Sequence, residues 1–219
     1  DKEEKNMSKV TLKEKTIVGV TWTFIDLIGN QGIQFILSII LARILSPKDF
    51  GLLGMITVFI VMSQAFVDSG LTNALIRKKD VNEEEYSTVF YFNIIIALTF
   101  YLIIFLFSDF ISNYFSEEKL SLLVKVLSLV LIVDSLGLIQ RTILSKKLDF
   151  KTQTKIGITS SIFSGVVAVV LALEGAGVWS LVAKTLIMQI VQTTMLFMHN
   201  KWIPLFRFNI KAFKELFSY

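Results

Sequence analysis

The sequence predicts an all-α integral membrane protein built as a six-transmembrane-helix bundle. Three observations carry this. The charges of the 219 residues fall in clusters, and the gaps between clusters are long and apolar. Six gaps are long enough for a helix to cross a hydrocarbon core about 30 Å thick, which takes roughly 20 residues. The runs are continuously apolar rather than alternating, which argues against a membrane β-barrel. An open strand would leave backbone groups unpaired in lipid, so each run is a helix.

The expected spans are 17–41, 50–71, 89–108, 120–139, 156–173 and 178–198. A cytoplasmic segment, 1–16, precedes them, with Met7 read as the natural start, and a cytoplasmic tail, 199–219, follows. The first run is too long for the apolar region of a cleavable signal and lacks a small-residue cleavage site. The only prolines, Pro47 and Pro204, fall outside all six runs, as expected of a residue that removes a helical hydrogen bond. There are no cysteines, so disulfides and thiolate metal sites are excluded.

Span 1 is unusually polar for a membrane helix. Asp26, Asn30, Gln34 and Ser38 recur every four residues, one slowly drifting face, opposite Phe24, Ile28, Phe35 and Ile39. A carboxylate in mid-membrane costs at least about 2.5 kcal/mol. Two readings of this ladder stand: the wall of a polar cavity, or a hydrogen-bonded seam between packed helices. Span 2 offers Thr57, Gln64 and Asp68 on one face, and span 6 offers Thr185, Gln189 and Gln192. Spans 1, 2 and 6 are therefore expected to surround a polar pathway. Span 3 has few polar groups and reads as lipid-facing. In span 4, Asp134 is placed to pair with Arg141 or with a neighbouring helix. Span 5 carries Gly157, Ser161 and Gly165 at four-residue spacing, a pattern that permits close helix packing.

Charge sets the orientation, because Lys and Arg in short loops stay preferentially on the cytoplasmic side. With the N-terminus inside, the inside segments hold Lys2, Lys5, Lys9, Lys13 and Lys15, then Arg77, Lys78 and Lys79. They also hold Arg141, Lys146, Lys147, Lys151 and Lys155, then Lys201, Arg207, Lys211 and Lys214. The outside loops hold only Arg43, Lys48 and Lys119. Both ends are expected in the cytoplasm. The net charge of +4 then reflects basic clusters beside anionic lipid, and no nucleic-acid partner is expected. Lys125 and Lys184 lie inside the spans near the outer boundary. They either snorkel to the interface or, with Arg43, meet an anionic substrate. From Asn209 the tail reads as an amphipathic helix on the inner membrane surface.

Nothing in the sequence points to an enzyme. The single histidine, His199, ends span 6, and no metal-ligand spacing, nucleophile elbow or phosphate loop appears. The acidic group Asp80, Glu83, Glu84 and Glu85 follows Arg77–Lys78–Lys79 and reads as a solvated loop and helix start. No cofactor or metal is expected.

Several stretches, in order along nearly the whole chain, carry a family resemblance. They are 19–22, 41–51 (LARILSPKDFG), 66–76 (FVDSGLTNALI), 148–150, 175–181 (GAGVWSL) and 202–204. The chain resembles the Wzx-type polysaccharide flippases of the multidrug/oligosaccharidyl-lipid/polysaccharide (MOP) exporter superfamily, the group handling O-antigen, colanic-acid and teichuronic-acid repeat units.

The resemblance implies the N-terminal lobe of a MATE/MurJ-like two-lobe transporter in a bacterial inner membrane, a missing C-terminal lobe being its first partner. It implies a lipid-linked oligosaccharide substrate, carried on undecaprenyl pyrophosphate and flipped by alternating access around a shared site. A polysaccharide polymerase and glycosyltransferases are the further partners implied. Lipid II flippases of the superfamily carry arginines in their first helix; span 1 has none before Arg43. Asp26 and Asp68 are instead candidates for ion coupling. The competing expectations are a cation-coupled multidrug exporter of the same superfamily and a non-transporting membrane scaffold.

Overall fold

The structure is a computed structural model. It describes the backbone of residues 2–67 and 70–217, and the side chains of 19–67, 70–210 and 213–216. The described residues form helices α1 (Lys2–Ile44), α2 (Pro47–Val67), α3 (Leu71–Arg77), α4 (Glu83–Phe115) and α5 (Lys119–Leu127). These are followed by α6 (Leu129–Lys146), α7 (Phe150–Leu173), α8 (Val178–Asn200) and α9 (Ile210–Phe217). Six stretches are long and apolar enough to cross a membrane: Gly19–Ile44, Pro47–Val67, Glu83–Phe115, Lys119–Lys146, Phe150–Leu173 and Val178–Asn200. The protein is thus a multi-pass, all-α membrane protein.

Local chemistry sets where the helices start and stop. Pro47 stands in the first turn of α2, where its missing N–H costs nothing. The Asp49 carboxylate accepts from the Ser46 N–H at 3.0 Å and from its hydroxyl at 2.7 Å. Asn82 caps α4 by accepting from the Glu85 N–H at 2.9 Å, while Glu85 accepts from the Asn82 N–H at 3.2 Å, a reciprocal capping box. Asp149 caps α7, accepting from the Thr152 N–H at 3.1 Å. The second span closes at Val67, and the chain turns through Gly70, whose φ of +78° suits glycine, before the short helix α3. The fourth span is interrupted at Ser128, between α5 and α6. No proline or glycine is there; the Ser128 hydroxyl bonds back to the Lys125 carbonyl at 3.1 Å, competing with the backbone for that acceptor.

The core lies between α2, α4, α5 and α6, around Ile56, Ile60, Ala97, Ile104, Leu123, Leu127 and Leu131. The fourth span is the most enclosed and the first the most exposed. The third span is lipid-facing on one side only. Leu102, Leu106 and Phe110 are exposed, whereas Asn93, Ala97 and Ile104 are buried against the neighbouring helices.

The loops gather at two ends. At one, Lys48 pairs with Glu117 at 2.6 Å, and Gly177 lies against Asp49. At the other, Lys78 bridges Glu85 and Glu215, both at 2.7 Å, and Lys146 donates to the carbonyls of Leu75 and Lys78. This second end collects the described basic segments and the tail. After α8 stops at Lys201, in left-handed conformation, residues 202–209 run back over the start of α4. Trp202 donates to Glu83 at 2.6 Å, and the N–H groups of Leu205 and Asn209 donate to the Ser87 and Thr88 hydroxyls. The expected amphipathic tail helix is present as α9, and it turns Phe213 and Leu216 into the cluster of Leu71, Leu75 and Phe90.

Candidate transport pathway

The first helix packs along its length on α7, and the stripe of small residues on α7 makes this possible. A Cβ on Gly157 would stand 2.8 Å from the Asn30 amide nitrogen, and one on Gly165 would overlap the methyls of Leu37. The Asn30 amide donates to Asp26 at 2.7 Å, and its oxygen accepts from the Ser161 hydroxyl at 2.9 Å. Thr154 adds a hydroxyl donor to the Trp22 carbonyl at 3.2 Å. The N-terminal half of the polar ladder is therefore a hydrogen-bonded seam.

The C-terminal half of the ladder borders open space. Asn30, Gln31, Gln34 and Ser38 of α1 face Lys184, Thr185 and Met188 of α8 across a groove of about 500 Å3. Phe50 and Leu53 of α2 complete its wall. This size is within the range of ordinary ligand sites. Gln34 is held only by long contacts to Ser161 and the Met188 sulfur, at 3.5 and 3.6 Å. Toward the C-terminal end of α1 an apolar cluster of Leu41, Leu45, Ala168, Ala172 and Leu181, with Phe50 and Leu53, fills the space beside the groove.

Lys184 is half-buried and, among the described residues, makes no hydrogen bond or ion pair, so its ammonium is available in the groove. The other basic candidates are placed differently. Lys125 pairs with Asp109 at 3.2 Å and lies over the Phe105 ring, at the α4–α5 edge. Arg43 is exposed in the last turn of α1. Gln64 and Gln192 are half-buried, and the groove lining does not include them. Asp68 lies outside the described residues. Gln31, which borders the groove, is off the four-residue ladder that sequence reasoning follows.

Gln189 turns to α6 instead. It donates to Asp134 at 2.6 Å, and Arg141 donates to the same carboxylate oxygen at 2.5 Å. Thr193 donates to the Val133 carbonyl at 3.1 Å alongside them. This polar knot joins the fourth and sixth spans at mid-membrane, and it gives Asp134 both partners that its sequence position allows.

The described residues form a six-span α-helical bundle with a groove between its first, second and sixth spans. Residues 40–219 match a family model described as polysaccharide biosynthesis protein, and the chain belongs to that family. It is similar to the succinoglycan biosynthesis transport protein ExoT of Rhizobium meliloti, 28% identical over 92% of this chain and 41% of the relative. It is also similar to the lipopolysaccharide biosynthesis protein WzxC of Escherichia coli, 32% identical over 71% of this chain and 32% of the relative. The teichuronic acid biosynthesis protein TuaB of Bacillus subtilis is 27% identical over 95% of this chain and 44% of the relative. The chain spans less than half the length of these curated relatives. No solved structure matches it.

Proposed function

We propose that this chain is one lobe of a flippase that moves a lipid-linked oligosaccharide repeat unit across the bacterial inner membrane for polysaccharide export. The carrier lipid is undecaprenyl pyrophosphate, and movement is by alternating access. The groove between α1, α2 and α8 is this lobe's half of the path, and both ends of the chain are cytoplasmic. The observation that carries the reading is an ammonium without a partner among the described residues, Lys184, which lines with Asn30, Gln31 and Gln34 a groove between helices of membrane-spanning length. A fixed cation there suits a phosphate, and carboxamides suit sugar hydroxyls. The apolar plug of Leu41, Leu181 and Phe50 supports a state closed toward the outside.

The test is flipping of a lipid-linked oligosaccharide by the full reading frame in proteoliposomes. Lys184→Gln is expected to lower the rate by about tenfold and Lys184→Arg to retain most of it, since one charge-assisted contact is worth roughly 1.5 kcal/mol. Equal rates in all three proteins would remove Lys184 from the path. An absence of flipping in the wild type, with drug efflux in its place, would favour a cation-coupled drug exporter.

A further inference from the structure

The knot between α6 and α8 is asymmetric. One Asp134 oxygen takes both donors, Nη2 of Arg141 and Nε2 of Gln189. The other oxygen has no hydrogen-bond partner among the described residues. The Nε of Arg141 is buried and also without a partner, although the Asp134 and Arg141 side chains remain 18% and 30% exposed. A guanidinium and a carboxylate can meet through two parallel bonds, the stronger arrangement. This pair meets through one, so the guanidinium keeps much of its donor capacity in a medium where an unmet donor is costly. Asp134 and Arg141 both belong to α6, about two turns apart, so the charge pair is not itself the contact with α8, which is made by Gln189. Packing of the two helices needs no guanidinium there, and an apolar contact would avoid its desolvation.

We propose that Arg141 is a phosphate-binding side chain held in reserve by Asp134. A phosphate-bearing lipid headgroup reaching the α6–α8 seam takes the guanidinium through Nε and Nη, and Asp134 is left with the Gln189 amide. Gln189 is thus the positioning residue that keeps the vacated carboxylate solvated. This rests on the flippase reading for the identity of the headgroup, the pyrophosphate of a polyprenyl carrier. It adds to Lys184 a second cation, on a different helix and nearer the cytoplasmic end.

The experiment uses the full-length protein, labelled with 15N-arginine, in phosphatidylcholine nanodiscs, with farnesyl pyrophosphate as the probe. Arg141→Gln identifies the Arg141 Nε–H resonance. The probe is expected to shift that resonance in the wild type, and a resonance that does not move overturns the proposal. Asp134→Asn keeps the shape and removes the competing charge, so it is expected to bind the probe roughly five- to tenfold more tightly, the competing state having been removed. Binding that is unchanged or weaker in a folded Asp134→Asn protein also overturns it.

Nanodiscs containing phosphatidylglycerol without the probe separate the two sources of phosphate. A shift of equal size there makes this a general phospholipid site and ends the assignment to the carrier. Flipping with a silent Arg141 would sink this inference and leave the function standing. An Arg141 that binds in a protein that does not flip would do the reverse.

Discussion

Leu37 of α1 lays its methyl groups over Gly165 of α7, in the space that a Cβ would occupy. The first span approaches the rest of the bundle through this contact and the Gly157–Asn30 contact. Side chains added here must displace α1 or strain Leu37. Overpacking of this kind costs about 1–3 kcal/mol. Gly165→Val is expected to lower the melting temperature of the detergent-solubilised protein, and Gly165→Val with Leu37→Ala to restore part of the loss. A single variant as stable as the wild type would contradict the seam.

Asp26 is bonded to Asn30 and forms no ion pair among the described residues. We expect Asp26→Asn, and Asp68→Asn beside it, to weaken the dependence of flipping on a proton or sodium gradient while the protein stays folded. The readout is the ratio of rates with and without the gradient. If the ratio is unaltered in both variants, ion coupling lies elsewhere.

Lys78 ties the tail to the bundle. Glu215 and Glu85 beside it hold its ammonium above the ordinary lysine value. A base whose pKa is raised by folding stabilises the fold in full below its unfolded pKa, about 10.4, and loses that contribution as pH rises through the folded value. Replacing Lys78 by Met leaves the buried Glu85 without its counter-charge, at a cost of roughly 3 kcal/mol. Thermal melts are therefore expected to differ by the same amount at about pH 7 and pH 9, the gap narrowing only above about pH 10. Hydrogen exchange in 202–217 is expected to rise in the variant. A gap that closes near neutrality would argue against this pairing.

The absence of native cysteines makes topology directly testable. Single cysteines at Lys79 and Thr152 are expected to react with a membrane-impermeant maleimide only after the cells are opened. Cysteines at Ser116 and Gly175 are expected to react from outside. The opposite pattern would invert the orientation that the basic loops imply.

All six spans were legible because hydrocarbon imposes a length and an apolarity that composition records directly. The turn at Gly70 was not, since one glycine with positive φ stands inside a run that composition reads as continuous. The interruption at Ser128 coincides with a single hydroxyl and leaves the run apolar. Within the candidate site, the α1 ladder was legible as polar spacing. A four-residue step drifts by about 40° per repeat, so the face splits, Asp26 and Asn30 meeting α7 while Gln31 and Ser38 border the groove. Cross-helix pairing follows from the packing rather than from spacing. Lys125 found Asp109, sixteen residues away, and Asp134 gathered both Arg141 and Gln189.

The first helix is hung on one jamb. Along its length it packs on α7, and α2 stands across the opening from it. Beyond the Leu41 and Leu45 cluster, the width of the opening therefore follows from how α1 sits on the small residues of α7. A slide of α1 along Gly157 and Gly165 would widen or narrow the doorway while the α2–α4–α6 frame stayed as it is.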